Sequence, residues 1–533
     1  MSNPLDNVSI REKIGQMFMV GFKGLRLTVG AKEFISRNSI GFVVIFSRNV
    51  ESPSQVIKLT NEIHSLGKIP PMIFTDQEGG LVCQFGEMVS TFTSPMGIAA
   101  TTDLKNAEIA GEGIGRDLSA LGIDGVLAPV VDVNYNPDNS IIGARAFSDE
   151  PDTVTSFASH FIYGLKRTGV APVLKHFPGH GGTGVDSHHK LPIVAESEEY
   201  TRAMNIRPYF ILAPEVDFIM TAHVNFPWVD EAHTPASFSE YFINRILRRE
   251  IGFKGVVFTD CLEMGAIKKN FSPEEIIRKG INAGVDVFLV SHSLRFQKVL
   301  FEKLLGLVKR GEIPEERINS SYERILNAKK KYGVLKRKKN PLHASLRINR
   351  KKEEEICRKS IVVLRNKKGL IPIPEGTKLG IIEWAKAPAT MPLEAAFERS
   401  YLIDIAREYF PRAEVLILPP FIKEYKTAEH FIRTHSVTIV APYSRFPEAE
   451  KVQGEMIRKF LSYKENIIVV SLGNPYDIRE FPFAHTFVAG FGFRECNIRG
   501  LFDVLSGRSK PFGRLPVEIR GIFPRWHKFE ELK

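Results

Sequence analysis

Residues 171–192 read APVLKHFPGHGGTGVDSHHKLP, and this stretch joins an apolar segment to a polar, glycine-rich segment. The first part, 171–176, is an apolar run that ends in a lysine and a histidine. The 18 residues from 175 to 192 include four histidines, one aspartate, two lysines and four glycines, a composition poorly suited to a packed core. We therefore predict a buried strand that delivers polar side chains into an active-site loop.

Similar apolar runs recur through the first 310 residues. They are mostly continuous rather than alternating, as expected for strands buried on both faces of a parallel sheet. Besides 171–176 they cover 41–46, 71–75, 125–132, 217–223, 255–260 and 285–291. Amphipathic segments of helical length separate them, at 53–66, 105–121, 153–168, 198–212, 239–249 and 273–283. Repeated βα units of this kind indicate either a doubly wound sheet or a (β/α)8 barrel.

The positions of polar residues at the strand ends distinguish between these two folds. They fall at or just after the carboxyl ends of six predicted strands: Asp76, Asp132, Lys175, His176, His223, Asp260 and Ser291. In a barrel all those ends converge on one mouth, where the chemistry of this fold is located, whereas an open sheet would distribute them along an edge. The sequence thus favours a TIM-type (β/α)8 barrel.

The second half of the chain predicts a separate α/β domain. Residues 336–352, KRKKNPLHASLRINRKK, interrupt the pattern with charge and a proline. Six further apolar runs follow, at 360–364, 378–382, 413–418, 436–441, 466–471 and 485–489. We predict a barrel domain over 1–335, a basic linker over 336–352 and an αβα-sandwich domain over 353–533.

Composition excludes several classes of protein. The net charge of +11 is concentrated around the basic linker, so we expect a solvated basic region and no nucleic-acid partner. The four cysteines are widely spaced and form no zinc pattern, which indicates reduced thiols. The first 22 residues do not resemble a signal peptide, and no apolar run approaches the ~20 residues of a membrane span. We therefore expect a cytoplasmic protein without a cofactor, and the sequence leaves its oligomeric state open.

Asp260 and His188 are the candidate catalytic pair. Cleavage of a glycosidic bond requires a carboxylate at the anomeric carbon and an acid at the leaving oxygen. Asp260 closes the run GVVFTD and is the candidate carboxylate, with a helix N-cap as the alternative. His188 is the candidate acid because histidine exchanges protons near neutral pH. Asp186, two residues earlier, can orient the imidazole and support its charge.

Two other interpretations of the loop after residue 176 remain open. It could be a solvent-exposed polar segment, with glycines that allow it to move. It could also hold a metal, since histidines and an aspartate are potential ligands: His176, His180, Asp186, His188 and His189. Their spacing matches neither HExxH nor a helical i, i+4 pair, which favours a site without metal.

Four motifs resemble glycoside hydrolase family 3, in particular its bacterial β-N-acetylglucosaminidases. They are TDQEGG at 75–80, DVNYNP with IIGARAFS within 132–148, KHFPGHG with DSH within 175–188, and FTDCLEMGAI at 258–267. The second half is similar to that family's second domain in SIVVLRNKKGLIPI at 360–373, VVSLGNPYDI at 469–478 and VLSGRSKPFGRLPVEI at 504–519. The resemblance covers almost the whole chain.

The resemblance implies a retaining exo-hydrolase that releases terminal β-linked N-acetylglucosamine, with a role in peptidoglycan turnover. Asp260 would be the nucleophile, and His188 with Asp186 the acid/base. The residues that would bind the sugar are Asp76, Arg145, Lys175 and His176, for each of which a structural role is the alternative. The expected substrate is a glycoside or muropeptide that contains N-acetylglucosamine.

The chain departs from the family pattern after TDQEGG. Leu81 and Gln84 stand where the family usually has arginines. These two positions leave open a β-glycosidase of shifted sugar specificity and a catalytically silent sugar-binding protein. A β-N-acetylglucosaminide phosphorylase that uses the same Asp/His site also stays open, because a neutral histidine would not repel an attacking phosphate. The potential ligands in the loop leave a metal-dependent hydrolase as a further alternative.

Overall fold

The computed structural model describes residues 8–184, 191–230, 234–336, 339–385, 401–442 and 447–529. These residues form two compact units. The first comprises Met1–Gln77, Gly111–Ile142 and Glu150–Ile348, and the second comprises Glu78–Ala110, Gly143–Asp149 and Asn349–Lys533. Two short segments of the N-terminal half therefore belong to the second unit, and the domain boundaries at 335 and 352 stay a prediction.

The first unit contains an eight-stranded parallel sheet. Its strands are β1 (Phe18–Val20), β2 (Phe42–Ile45), β3 (Met72–Thr75), β4 (Gly125–Val126), β5 (Ala171–Phe177), β6 (Phe218–Thr221), β7 (Val256–Thr259) and β8 (Phe288–Val290). The strand order is β8-β1-β2-β3-β4-β5-β6-β7. A parallel bridge between Phe258 and Val287 links β7 to the segment that enters β8, so the sheet closes into the predicted barrel.

The sequence predicted seven of these strands and missed β1. Three residues inside a short apolar segment carry no periodicity that separates a strand from the end of a helix. The barrel register identifies the strand, because Phe18 pairs with Phe288 and Val20 with Val43.

Helices connect the strands, and the principal ones cover Ile10–Gln16, Val29–Asn38, Pro53–His64, Leu104–Ala120, Pro151–Lys166, Glu198–Thr201, Arg207–Leu212, Tyr241–Glu250, Pro273–Ala283, Leu294–Lys309 and Glu315–Lys331. The local sequence explains where they begin and end. Pro273–Ala283, for example, starts with a capping box between Ser272 and Glu275 and ends at Gly284, whose φ of 102° favours glycine. Among the helices that the structure describes, none is long and apolar enough to cross a membrane.

Four phenylalanines fill the barrel interior. Phe42, Phe74, Phe218 and Phe258 are fully buried, and the ring centroids of neighbouring members lie 5.2–6.3 Å apart. The tilted and edge-to-face arrangements are those that aromatic quadrupoles prefer. The barrel is therefore a packed core, and chemistry is confined to its ends.

The second unit is an αβα sandwich. Among its described residues the main sheet has six strands, β9 (Val362–Asn366), β10 (Leu379–Trp384), β11 (Glu414–Leu418), β12 (Val437–Ala441), β13 (Ile467–Ser471) and β14 (Thr486–Ala489), in the order β9-β14-β13-β12-β10-β11. Only β9 is antiparallel to its neighbour. The short strands Gln77–Gly79 and Val82–Cys83 form a separate two-stranded sheet. The accompanying helices are Pro95–Ala100, Arg350–Ser360, Leu402–Tyr409, Tyr425–Thr434, Pro447–Phe460 and Glu495–Leu505. Separate apolar clusters cover the two faces of the sheet, which confirms the predicted three-layer fold.

Candidate functional site

Asp260 follows β7 directly, at the carboxyl end of the barrel strand. Its backbone N–H donates to Thr221 O at 3.2 Å, and its Oδ1 accepts from the N–H of Cys261 at 2.6 Å. The next helix starts only at Gly265, where Met264 occupies the N-cap position. Asp260 therefore does not cap that helix, and its half-buried carboxylate lies at the barrel mouth.

Lys175 and Asp76 form an ion pair at the same end of the barrel. Lys175 lies inside β5 and Asp76 follows β3, and the Lys175 Nζ to Asp76 Oδ1 distance is 2.6 Å. The lysine side chain is only 3% exposed, whereas 20% of the aspartate side chain is exposed. A nearly buried cation thus supports a carboxylate that a ligand can still reach.

His176 is held by a buried carboxylate that the sequence analysis did not include among the site residues. Its Nδ1 lies 2.7 Å from Asp132 Oδ2, and Asp132 Oδ1 accepts from the backbone N–H groups of His176 at 3.3 Å and His180 at 2.7 Å. Burial raises the pKa of Asp132, but the charges and hydrogen bonds of His176 and His180 outweigh burial and keep this pKa below its usual value. An ionised Asp132 accepts a hydrogen bond from Nδ1 of His176 and so orients the imidazole, with Nε2 as the other ring nitrogen. The position of Asp132 at a strand end was the signal for this role.

His180 and the glycines beside it are packed against the rest of the first unit. His180 Nδ1 lies 2.9 Å from Thr183 Oγ1, and its carbonyl accepts from Asn139 Nδ2 at 2.8 Å. A Cβ at Gly181 would lie 1.8 Å from Val133 O, and one at Gly182 would lie 2.0 Å from the Tyr135 hydroxyl. The obstacle at Gly181 is backbone, so only glycine fits there, and at Gly182 a larger residue would have to displace the Tyr135 ring. The flexibility that the sequence suggested for this loop stays a prediction.

The residues predicted as acid/base, Asp186 and His188, lie outside the described residues, as does His189. Within the described part of the chain, His176 and His180 belong to no group of three metal-ligating side chains. The metal interpretation of this loop therefore gains no support from its described portion.

His223 and Ser291 extend the polar mouth around Cys261. His223 Nε2 lies 3.2 Å from Cys261 O, and its Nδ1 lies 2.8 Å from Ser237 Oγ. Ser291 Oγ lies 3.0 Å from Cys261 Sγ. Residues that follow β6, β7 and β8 are thus in contact, as convergence at a barrel mouth requires.

Arg145 lies in the second unit, where it forms a buried bidentate ion pair with Glu78. Its Nε and one terminal nitrogen lie 2.8 Å from the two carboxylate oxygens, and both side chains are less than 10% exposed. This geometry favours the structural ion-pair alternative for Arg145, and contact with substrate stays a prediction. Glu78 was missed by the sequence analysis, although it lies within the motif TDQEGG.

Leu81 and Gln84, which replace the expected arginines, are both buried in the second unit. Leu81 is 7% exposed and packs in an apolar cluster with Val82, Met96 and Ala144, while Gln84 is 3% exposed. The cluster explains why an apolar residue is tolerated at position 81. Nearby, the buried guanidinium of Arg494 donates to Gly80 O at 3.4 Å and to Cys83 O at 3.3 Å.

Comparisons with known proteins agree with this architecture. The model of the glycosyl hydrolase family 3 N terminal domain matches residues 9–328. Beta-hexosaminidase A of Pseudoalteromonas piscicida is 29% identical over 91% of this chain and 90% of its own length. A beta-hexosaminidase of Stenotrophomonas maltophilia is 34% identical over 56% of this chain and 92% of its own length. The solved structure of a glycoside hydrolase family 3 beta-N-acetylglucosaminidase from Paenibacillus sp. is 31% identical, covers 96% of this chain and 99% of that one, and superposes with a TM-score of 0.90.

Proposed function

Because this chain belongs to glycoside hydrolase family 3 and is therefore a glycoside hydrolase, we propose that it removes terminal β-linked N-acetylglucosamine, or a related N-acetylhexosamine, by a retaining double displacement. The observation that carries the proposal is the half-buried Asp260 directly after β7, on the same end of the barrel as the Lys175–Asp76 and His176–Asp132 pairs. The names of the beta-hexosaminidases and of the beta-N-acetylglucosaminidase to which the chain is similar support an N-acetylhexosamine as the sugar.

Asp260 is the proposed nucleophile. Its Oδ1 is oriented by the N–H of Cys261, and the carboxylate attacks the anomeric carbon while the bond from that carbon to the leaving oxygen breaks. The product of this step is a covalent ester between the sugar and Asp260. Water then attacks the same carbon, its oxygen bonds to the sugar, and the Asp260 carboxylate leaves.

His188 is the proposed acid/base, with Asp186 as its orienting partner. In the first step the imidazolium gives its proton to the leaving oxygen, and in the second step the imidazole takes a proton from the attacking water. Histidine suits both steps because its unperturbed pKa of about 6.5 lies near the working pH.

Asp76, Lys175 and His176 are the proposed sugar-binding residues. The partly exposed carboxylate of Asp76 can accept from sugar hydroxyls, and the ammonium of Lys175 can donate. His176, fixed through Nδ1 by Asp132, can accept at Nε2. The three side chains come from two strands with buried partners, so they are preorganised for a polar ligand.

The deciding experiment compares aryl β-N-acetylglucosaminide with aryl β-glucoside and aryl β-N-acetylgalactosaminide. We expect release of the phenol from the first substrate, undiminished in the control variant Asp152→Asn, whose exposed carboxylate forms a surface ion pair with Arg207. Turnover of the β-glucoside alone would contradict the proposed sugar and indicate a β-glycosidase of shifted sugar specificity. Ligand-dependent thermal stabilisation without product would indicate a silent binding protein, and a sugar 1-phosphate formed in phosphate buffer would indicate a phosphorylase.

Lys175→Met tests the binding part of the proposal. The substitution keeps the length of the side chain but removes the ammonium that donates the proposed charge-assisted hydrogen bond to a sugar hydroxyl, worth about 1.5–3 kcal/mol, so we expect kcat/KM to fall by roughly 10–150-fold. An unchanged kcat/KM would contradict a sugar-binding role for Lys175.

Muropeptide substrates, a role in peptidoglycan turnover and a cytoplasmic location stay predictions. Because Leu81 and Gln84 are uncharged, we expect an uncharged chitobioside to be cleaved at least as well as a glycoside that carries a carboxylate on its second sugar. Preference for the glycoside that carries a carboxylate would show that other positively charged residues compensate for the arginines that the family usually has at positions 81 and 84.

A further inference from the structure

A thiol, a carboxylate and an imidazole converge at the barrel mouth beside Asp260, at positions that the hydrolase mechanism does not use. Among the residues that the structure describes, Cys261, Glu263 and His292 are the only such group of three whose ligand atoms all lie within 4.8 Å of one another. Cys261 and Glu263 follow β7, and His292 follows β8. We propose that this group is a binding site for a thiophilic divalent cation of the zinc class.

The Glu263 carboxylate is already oriented for such a role. Its Oε2 accepts from the backbone N–H of His292 at 2.6 Å, and its Oε1 accepts from the backbone N–H of Ser293 at 3.0 Å. Each carboxylate oxygen has a second acceptor position, so either one can also bind a cation. Outer hydrogen bonds of this kind hold metal-binding carboxylates in place.

The imidazole and the thiol are supported in the same way. The exposed His292 ring stacks on Phe46, with ring centroids 6.2 Å apart and planes 14° apart. Cys261 Sγ lies 3.0 Å from Ser291 Oγ, which can donate to a thiolate. Of the four cysteines, Cys261 is the only one that is partly exposed, whereas Cys83, Cys357 and Cys496 are buried.

The distances require a small contraction. Zinc lies about 2.0–2.3 Å from nitrogen, oxygen and sulfur ligands, which places tetrahedral ligands roughly 3.6 Å from one another. The three ligand atoms lie within 4.8 Å of one another, and His292 is exposed, so its side chain has room to move toward the other two. Binding would exchange the thiol proton for the cation and release that proton to solvent.

The ligand types determine which cation fits. One thiolate, one imidazole and one carboxylate suit Zn²⁺ or its analogue Co²⁺ and disfavour Mg²⁺ and Ca²⁺, which prefer all-oxygen sites. The guanidinium of Arg48 opposes the binding of a cation, but its Nε donates to Phe22 O at 2.9 Å and one terminal nitrogen donates to Ser291 O at 2.6 Å. Three protein ligands leave one coordination position for water.

The test is a Co²⁺ titration of the full-length protein after dialysis against a chelator. We expect a sulfur-to-cobalt charge-transfer band in the near ultraviolet together with tetrahedral bands in the visible, and we expect Zn²⁺ to displace both. The thiolate band separates this site from any site built only from histidines. This spectrum does not depend on turnover, so its failure is distinguishable from failure of the proposed hydrolase.

Variants assign the site to its residues. Cys261→Ser should abolish the charge-transfer band, and His292→Ala should weaken Co²⁺ binding at least about a hundredfold. The control His160→Ala, which removes a partly exposed histidine whose Nδ1 lies 3.0 Å from Ser156 O, should leave the titration unchanged. A band that survives Cys261→Ser, or wild-type protein without any cobalt spectrum, would overturn the proposal.

Discussion

The two ends of the barrel both contain buried or half-buried aspartates, but they use them differently. At the amino ends, Asp124 and Asp217 directly precede β4 and β6, and Asp286 lies two residues before β8. At the carboxyl ends, Asp76 and Asp260 directly follow β3 and β7. The same residue type therefore occurs at both ends, and its partners distinguish the two groups.

Asp286 illustrates the structural role of a carboxylate at the amino end of the barrel. It is fully buried and accepts from four donors: the N–H of Val257 at 3.0 Å, Ser321 Oγ at 2.5 Å, Arg324 at 2.9 Å and Arg248 at 2.6 Å. Such a network joins two strands to two helices and excludes a ligand. Its contribution is to stability, as expected at this face of a barrel.

Two of the carboxyl-end aspartates, Asp76 and Asp260, are only partly enclosed. Asp76 keeps 20% of its side chain exposed beside Lys175, and Asp260 is likewise half-buried. Polar groups that are preorganised but still accessible are those that a substrate can use. Asp76 and Asp260 thus differ from Asp286 in that part of each residue stays accessible to solvent, whereas Asp286 is enclosed by its four donors.

The largest predicted effect is that of Asp260→Asn. Removal of the proposed nucleophile should lower kcat for the aryl N-acetylglucosaminide by at least about a thousandfold. The free energy of unfolding should change by less than about 1 kcal/mol, because the residue is half-buried and the amide can still accept from Cys261 N–H. Steady-state kinetics and urea unfolding measure the two quantities, and a large loss of stability with retained kcat would reverse the assignment of the two ends.

Asp286→Ala should produce the opposite pattern. It leaves Arg248 and Arg324 without their buried carboxylate, and such a loss costs about 3–5 kcal/mol of folding free energy. The fraction of this variant that still folds should have a KM close to that of the wild-type protein. Urea unfolding monitored by tryptophan fluorescence checks the prediction, and a change below about 1 kcal/mol would show that the network is dispensable.

Lys329 gives the amino end a dependence on pH. Its side chain is fully buried, Nζ donates to Pro70 O at 2.7 Å, and burial lowers its pKa well below the usual value. The unfolded chain therefore binds a proton that the folded chain lacks, so the stability should rise with pH up to about 10.5 and be lost as the pH falls.

Lys329→Met should remove this pH dependence and stabilise the protein at pH 7 on the order of 1 kcal/mol. Lys330→Met, at the exposed neighbouring position, is the matched control and should leave the dependence intact. Unfolding free energies at pH 7 and pH 9.5 measure the difference. Equal slopes in Lys329→Met and wild type would assign the pH dependence to other groups.

The smallest predicted effect on stability is that of a substitution at Lys331, on the exposed rim of the amino end of the barrel. Lys331 Nζ lies 2.8 Å from both oxygens of Asp217, but 58% of the lysine side chain is exposed. Lys331→Ala should therefore cost less than about 1 kcal/mol, and the cost should shrink further in high salt. Thermal unfolding in low and high salt tests this, and a salt-independent loss would mean that the pair is better shielded than its exposure indicates.

Much of the fold could be predicted from local patterns. The apolar run 171–176 corresponds to β5, and the predicted helix 273–283 coincides with Pro273–Ala283. All six strands of the main sheet of the second unit were predicted to within two residues. Short strands without helical periodicity, such as β1, escaped detection because three residues carry too little pattern.

Local patterns did not predict which side chains the site residues contact. Asp132 lies 44 positions from His176, and Asp76 lies 99 positions from Lys175. The sequence placed each side chain at a strand end, but which carboxylate meets which base depends on strand order and register. The same applies to Arg145 and Glu78, 67 positions apart, whose pairing favours a structural role over contact with sugar.

By itself the sequence determined the succession of strands and helices, the barrel, the sandwich and the family, because each rests on local periodicity or on contiguous motifs. The tertiary structure alone decided that Cys261, Glu263 and His292 converge and that His176 is held by Asp132. It also decided that the glycines at 181 and 182 serve close packing. The physical reason is that closure of a barrel brings distant strand ends together, and a one-dimensional pattern does not specify those distances.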